Sequence, residues 1–309
     1  MTIELHNNVY CEGEGLPVVL VHGFPVDHRM WDECAEALEA AAVEHGVKRF
    51  PIWGPDMPGA GEGPIPSDET SGGKDADGAF PNGLDHMADA YVAMLHAAGY
   101  DKAIWAGLSM GGYLVLDIQR LHPEAVAALA LCDTKAAADS AQMRAKRIAI
   151  AEACESTGTH EPVMGFAAST PEDSTIKQSA AYREQFTTWI NEQPAEGIAW
   201  RERMALGAGS ERCVACDYGA GCGDLRRQGS VEPAERDDAD RRCDDRHERG
   251  YDGGIRLRAF QRIRASAGGC RRAARAGAQG AVAGIFRRCR QYRNQKYKKD
   301  IKNRKENTE

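Results

Sequence analysis

The stretch "IWAGLSMGGYLVL", Ile104 to Leu116, decides how this chain folds. It opens as an apolar run, passes through Gly107-Leu108-Ser109-Met110-Gly111, and continues with apolar residues at helical spacing. That order reads as a buried strand, a sharp turn and a helix. Glycines around Ser109 permit a turn tight enough to project its hydroxyl outward. A helix starting at Met110 directs backbone N–H groups and its positive dipole end at the same point. A glycine-rich strand–helix turn can also carry an idle serine. The agreement of G-x-S-x-G spacing with strand–helix context favours a nucleophile. A serine hydroxyl is a weak nucleophile alone. It needs a base to take its proton and an acid to orient that base.

Working outward, "LPVVLVHGFP" predicts a buried parallel strand over Val18 to Val21 that runs into a glycine-containing turn. There the Phe24 N–H, together with the Met110 N–H, can form an oxyanion hole. His22 is read as bracing that turn, not as transferring protons. "DECAEALEAAAVEHG" predicts a helix, "RFPIWGPDMPGAGEG" a second strand and a Pro/Gly-rich loop, and Pro64 to Pro81 a polar surface loop. "LDHMADAYVAMLHAAG" places Leu84, Met87, Tyr91 and Leu95 at helical spacing, with Gly99 as its cap. "AVAALALCD" reads as a further buried strand. Such alternation argues for a parallel α/β sheet. From Thr134 to about Glu202 it stops. "AADSAQMRAKRIAIAEACES" and "YREQFTTWINEQ" read as helices, which suggests a cap over the carboxyl edge of the sheet, where ligands bind.

The chain has 309 residues and a formal net charge of -7, with no overall basic signal for nucleic acid. No apolar run approaches membrane-span length, and Met1-Thr2-Ile3-Glu4 does not begin a secretory signal, so the expectation is a cytoplasmic protein with reduced cysteines.

The segments "VVLVHGFP", "GPDMPGAGEG", "IWAGLSMGGYLVL" and "LALCDT" resemble, in order, the serial motifs of the α/β-hydrolase family. The resemblance is greatest to its small esterase, enol-lactonase and cofactor-free haloperoxidase-like group, and covers about Leu5 to Met204. It implies an eight-stranded, mostly parallel sheet with a helical cap and a triad in chain order Ser, Asp/Glu, His. It makes Ser109 the nucleophile and Phe24 and Met110 the oxyanion donors, with no cofactor or metal. Asp56 matches the Asp of the family's D-x-P-G-x-G loop and is read as structural. The family places its acid in a "G-D-x-D"-like turn beyond the cap and its histidine in a late "G-H" turn. In this chain the only histidine after His160 is His247, in "CDDRHERGYDG", with no strand pattern before it.

Composition changes abruptly at the same place. Six of the ten cysteines lie beyond Met204, only Leu225 and Leu257 represent leucine beyond Gly209, and arginine pairs recur. A stretch so poor in apolar residues does not offset its conformational entropy by burial, so residues 205–309 are expected to form an aberrant low-order tail. The genetic code supplies a cause. Reading one base forward, the codons from Gly223 to Ala234 permit "CGDKDPSSP" and those from Leu257 to Ala265 permit "SGHFSAFE". Codons from Glu211 to Asp217 permit "SDVLPVT", a strand entry. The acid turn and the histidine turn thus return in one frame and in family order. The tail reads as frameshifted, with the break between Met204 and Glu211. Two other readings are weaker. Cys213, Cys216, Cys222 and Cys243 lack the second close pair of a zinc site. Asp237, Asp238, Asp240, Asp244 and Asp245 interrupt the basic surplus that a nucleic-acid arm needs.

The sequence therefore predicts an α/β-hydrolase core over 1–133, a helical cap over 134–204 and the tail over 205–309. The expected function is a serine hydrolase acting on a small-molecule carboxylic ester or lactone through an acyl-enzyme, impaired by loss of the acid and histidine turns. The alternative is an inactive remnant or small-molecule binding module on the same fold. A third reading uses Asp133, where some family members place the acid, and His247 as a substitute relay. The pattern specifies neither the acyl group nor the oligomeric state.

Overall fold

The computed structural model describes residues 2–208, except 172 and 174. The expectations for the tail, including His247, lie outside the described residues. Five strands form one sheet: β1 (His6–Cys11), β2 (Val18–Val21), β3 (Ile52–Asp56), β4 (Ala103–Leu108) and β5 (Val126–Cys132), in the order β1-β3-β2-β4-β5. β1 runs antiparallel to β3, and every other pairing is parallel. The described residues supply five of the eight strands that the resemblance implies, and the rest of that expectation lies outside them.

Helices α1 (Asp32–Glu44), α2 (Gly83–Ala97) and α3 (Met110–Leu121) follow β2, β3 and β4. They bury two apolar layers. Leu20, Trp31, Leu38 and Ile52 pack on the α1 face, and Met87, Tyr91, Trp105 and Leu114 on the α2–α3 face. β2 is buried along its whole length, which is why its sequence is a continuous apolar run. Gly99 follows α2 at φ +84°, the backbone conformation that ends the helix.

Beyond β5 the chain is helical: α4 (Ala141–Thr157), α5 (Ala180–Asn191) and α6 (Ala195–Ala205). Ser140 and Ser179 cap α4 and α5 through bonds from the Met143 and Tyr182 N–H groups. α4 and α6 are clamped by Arg147–Glu202 at 2.5 Å and Arg203–Glu155 at 2.6 Å.

Two local readings change. β5 was expected to be buried. Its residues alternate between buried and half-buried, because it closes the described sheet and has β4 as its only partner there. The Pro64–Pro81 loop is largely at the surface, but Ser71, Ala79 and Phe80 are buried. The Trp200 indole N–H donates to the Ser71 hydroxyl, and Phe80 lies beside the Trp200 ring. The four cysteines among the described residues form no disulfide with one another, in line with the expected reduced thiols, and all are buried.

Candidate functional site

Strand register assembles the site. Val21 pairs with Gly107 and Leu108 with Cys132, so the turns after β2, β4 and β5 emerge together at the carboxyl edge of the sheet. Ser109, half-buried, sits at φ +50°, ψ -111°, between the last residue of β4 and the first of α3. A non-glycine residue there is strained, and the surroundings fix it. Its N–H donates to the Cys132 carbonyl at 2.9 Å, and its carbonyl accepts from the Thr134 hydroxyl at 2.7 Å.

The glycines of the motif are required by close approach. A Cβ on Gly107 would stand 2.3 Å from the Gly111 carbonyl oxygen. A Cβ on Gly111 would stand 2.4 Å from the Val21 oxygen and 2.6 Å from the His22 oxygen. The β2 turn therefore lies directly against the start of α3. On its other side, a Cβ on Gly23 would come within 3.6 Å of the Ser109 Cβ. Ser109, Met110 and the His22–Phe24 turn are one cluster.

His22 is committed within that cluster. It is fully buried, its Nε2 accepts the Met57 N–H at 2.8 Å, and its Nδ1 lies 3.0 Å from the Gly23 carbonyl. These partners require neutral imidazole with the proton on Nδ1, and burial pushes its pKa down, in the same sense. Neither nitrogen is left to take a proton from Ser109. The sequence reading of His22 as a brace agrees with this geometry.

Asp56 is also buried and fully engaged. It accepts from the His28 N–H at 3.0 Å and the Glu62 N–H at 3.2 Å, and its oxygens face His28 Nδ1 at 2.8 Å and His6 Nδ1 at 3.3 Å. Burial alone would raise its pKa. The hydrogen bonds and charge of His28 outweigh that and hold it at about 2. Asp27, His28 and Asp56 bring three ligand-type atoms within 4.8 Å of one another. Arg29 and Gln193 occupy the Asp27 carboxylate, at 2.7 Å each, so these contacts explain the cluster as a structural network.

Asp133 follows β5 at φ +40°, the second positive-φ non-glycine residue described. The Cys132–Ser109 bond fixes its backbone next to the site. His247, the other half of the substitute relay, lies outside the described residues.

The structure adds residues that the sequence did not single out. The ring of Phe166, in a short 3-10 turn of the cap, meets Phe24 edge-on at 5.5 Å. The guanidinium of Arg201 on α6 lies over the same Phe24 ring, 5.5 Å from its centroid, and donates to the Val26 carbonyl at 2.9 Å. Arg201 is fully buried, and burial brings its pKa down to about 10. The cap thus holds the Phe24 turn from above. A buried arginine within a charged "RER" has no local sequence signature.

Residues 17–153 match the family described as alpha/beta hydrolase fold. Lipase LipV of Mycobacterium tuberculosis is 28% identical over 144 residues, which are 47% of this chain and 47% of the lipase. The alignment thus spans about half the length of that relative. A thermophilic esterase from Thermogutta terrifontis is 30% identical with a TM-score of 0.51, covering 66% of each chain. An enol-lactonase from Burkholderia xenovorans LB400, at 20% identity and TM-score 0.51, shares the fold over 67% of this chain and 71% of its own. No helix among the described residues is long and apolar enough to cross a membrane.

Proposed function

We propose that Ser109 is the nucleophile of a hydrolase for small carboxylic esters or lactones, with its proton-relay half lost from this chain, a reading supported by the match of residues 17–153 to the alpha/beta hydrolase fold. The observation that carries the reading is the strained Ser109 turn set against the His22–Phe24 turn. The Ser109 oxygen attacks the substrate carbonyl carbon. The negative charge that develops on the carbonyl oxygen falls between the N–H groups of Phe24 and Met110. Collapse expels the alcohol and leaves an ester on Ser109, which water then cleaves. Both steps need a base that takes and returns a proton. His22 is held by two backbone groups and does not serve as that base. In the shifted frame the Gly229 and Ala259 codons permit the required Asp and His. The esterase and lipase names of the relatives support the substrate class.

The positive φ of Asp133 favours one rival, in which Asp133 orients His247. The test is quenched-reaction mass spectrometry with p-nitrophenyl acetate on the chain with its frame restored by one base near Met204. An acetyl group is expected on the peptide carrying Ser109, and none in Ser109→Ala. Absence of the adduct during turnover, or its appearance on another residue, overturns the role of Ser109.

A further inference from the structure

The turn that carries Phe24 is braced at most of its polar atoms. The Gly23 N–H donates to the Met30 sulfur at 3.0 Å, the Gly23 carbonyl lies 3.0 Å from His22 Nδ1, and the Val26 carbonyl accepts from Arg201 at 2.9 Å. The Phe24 N–H, by contrast, has no hydrogen-bond partner among the described residues. An open N–H in a braced turn is available to an acceptor that arrives from outside. The Phe24 ring is the cap's grip on that turn: Phe166 meets it edge-on, and the Arg201 guanidinium lies over it.

Arg201 is an expensive residue for packing alone. It is fully buried, its Nε donates to the Gly197 carbonyl of its own helix at 3.2 Å, and its Nη2 has no hydrogen-bond partner among the described residues. The carboxylates around it are engaged elsewhere: Asp27 with Arg29, Asp56 with His28 and Glu202 with Arg147. They attract Arg201 only across a distance. Burial outweighs them and brings its pKa down to about 10, so it is still charged at neutral pH. A buried cation without a paired carboxylate destabilises a fold unless its remaining contacts offset the lost hydration. An apolar side chain of similar length would fill the same space without that cost. The helix that carries Arg201 is itself fixed. Glu202 and Arg203 tie α6 to α4, and a Cβ on Gly197 would overlap the Gly59 carbonyl, so α6 sits directly on the loop after β3.

We propose that Arg201 is the positioning residue of the oxyanion site: acting through the Phe24 ring and the Val26 carbonyl, it fixes the Phe24 N–H in place beside Ser109. The use of that N–H rests on the proposed hydrolase reading; the hold of Arg201 on the turn does not. The guanidinium grips the residues on both sides of the cis Phe24-Pro25 bond, one by its ring face and one by its carbonyl. A donor that is already in position when charge develops on a carbonyl oxygen costs nothing to reorganise. The stability given up by burying an unpaired cation is thereby converted into a rigid donor, with the cap and not the sheet setting its position.

The test is amide hydrogen exchange, read by mass spectrometry, on the full 309-residue chain and its Arg201→Met and Arg201→Lys variants. Peptides spanning His22 to Trp31 should exchange at least tenfold faster in Arg201→Met, while peptides from β4 stay within twofold of the parent. Arg201→Lys keeps a cation and an N–H donor and should return the His22–Trp31 peptides to within threefold of the parent. The melting temperature of Arg201→Met should lie at or near that of the parent, because the cation removed had no paired carboxylate. Unchanged exchange in Arg201→Met overturns the proposal, since the residue then only fills space. Equal acceleration in β4 overturns it too, since the loss is then global, and so does an Arg201→Lys turn as loose as that of Arg201→Met. If Arg201→Met does not fold, Arg201→Gln makes the same comparison with Arg201→Lys. Acetylation of Ser109, tested separately above, decides the hydrolase reading. A loosened turn without an adduct on Ser109 keeps the hold of Arg201 and removes its catalytic use. An adduct on Ser109 with exchange indifferent to Arg201→Met keeps the hydrolase and removes the role of Arg201.

Discussion

Replacing Gly111 by alanine tests the packing that brings Ser109 to the Phe24 turn. The added Cβ would meet the Val21 oxygen at 2.4 Å and the His22 oxygen at 2.6 Å, both backbone atoms. An ordinary carbon–oxygen contact is about 3.4 Å, so α3 and the end of β2 must separate by about 1 Å. Overpacking of this kind costs about 1–3 kcal/mol, and two rigid carbonyls place Gly111 at the upper end. Alanine returns about 1 kcal/mol through helix propensity, because Gly111 lies in the first turn of α3. The net expectation is a loss of about 2 kcal/mol, read as a fall of about 1 M in the urea midpoint by fluorescence of buried Trp105. Gly165→Ala is the control, since no atom lies within 4 Å of its Cβ, and it should stay within about 0.5 kcal/mol. A Gly111→Ala midpoint equal to or above that of the parent would refute the close approach.

Other consequences can be measured separately. Asp56, held at about 2 in the folded protein against an unfolded value of 3.8, contributes about 2 kcal/mol above pH 4. That contribution disappears as pH falls from about 4 to 2, so the acid limb of a stability–pH curve should flatten in Asp56→Asn, and an unchanged limb counts against the network. His22→Ala leaves the buried Met57 N–H without its acceptor and should cost about 1–3 kcal/mol in urea unfolding; a neutral result would reject the bracing role. The coding DNA should read GGA at Gly229 and GCA at Ala259, and another third base at either removes the shifted-frame Asp or His. Thr134→Val should loosen the Ser109 turn, seen as faster amide exchange at Ser109 and Met110; unchanged exchange would show that the 2.7 Å bond does not hold it.

Legibility followed burial. β2 and α3 could be read because each combines a dense apolar pattern with glycines whose positions are dictated by close contacts. β1 could not, because an antiparallel edge strand with one covered face tolerates "HNN". α6 could not, because its buried residues include Arg201, Glu202 and Arg203, whose partners Val26, Arg147 and Glu155 are far away in sequence. β5 read as buried from its apolar residues, yet side-chain type does not tell whether a neighbouring strand is present. Spacing singled out Ser109, Phe24 and Met110 as candidates, and the structure brings their turns together. The roles of Phe166, Thr134 and Arg201 arise from tertiary contacts that leave no local pattern.

The most direct measurement of the central claim is serine-dependent hydrolysis of p-nitrophenyl acetate before and after one base is restored near Met204. The account predicts near-background hydrolysis by the 309-residue chain, with little further loss in Ser109→Ala. Loss of a relay leaves roughly 10³–10⁴-fold catalysis over water only where the remaining site is well formed. It predicts strong hydrolysis by the frame-restored chain, abolished by Ser109→Ala. Strong turnover by the 309-residue chain, abolished by Ser109→Ala and also by His247→Ala, would contradict it and establish the Asp133–His247 relay in its place.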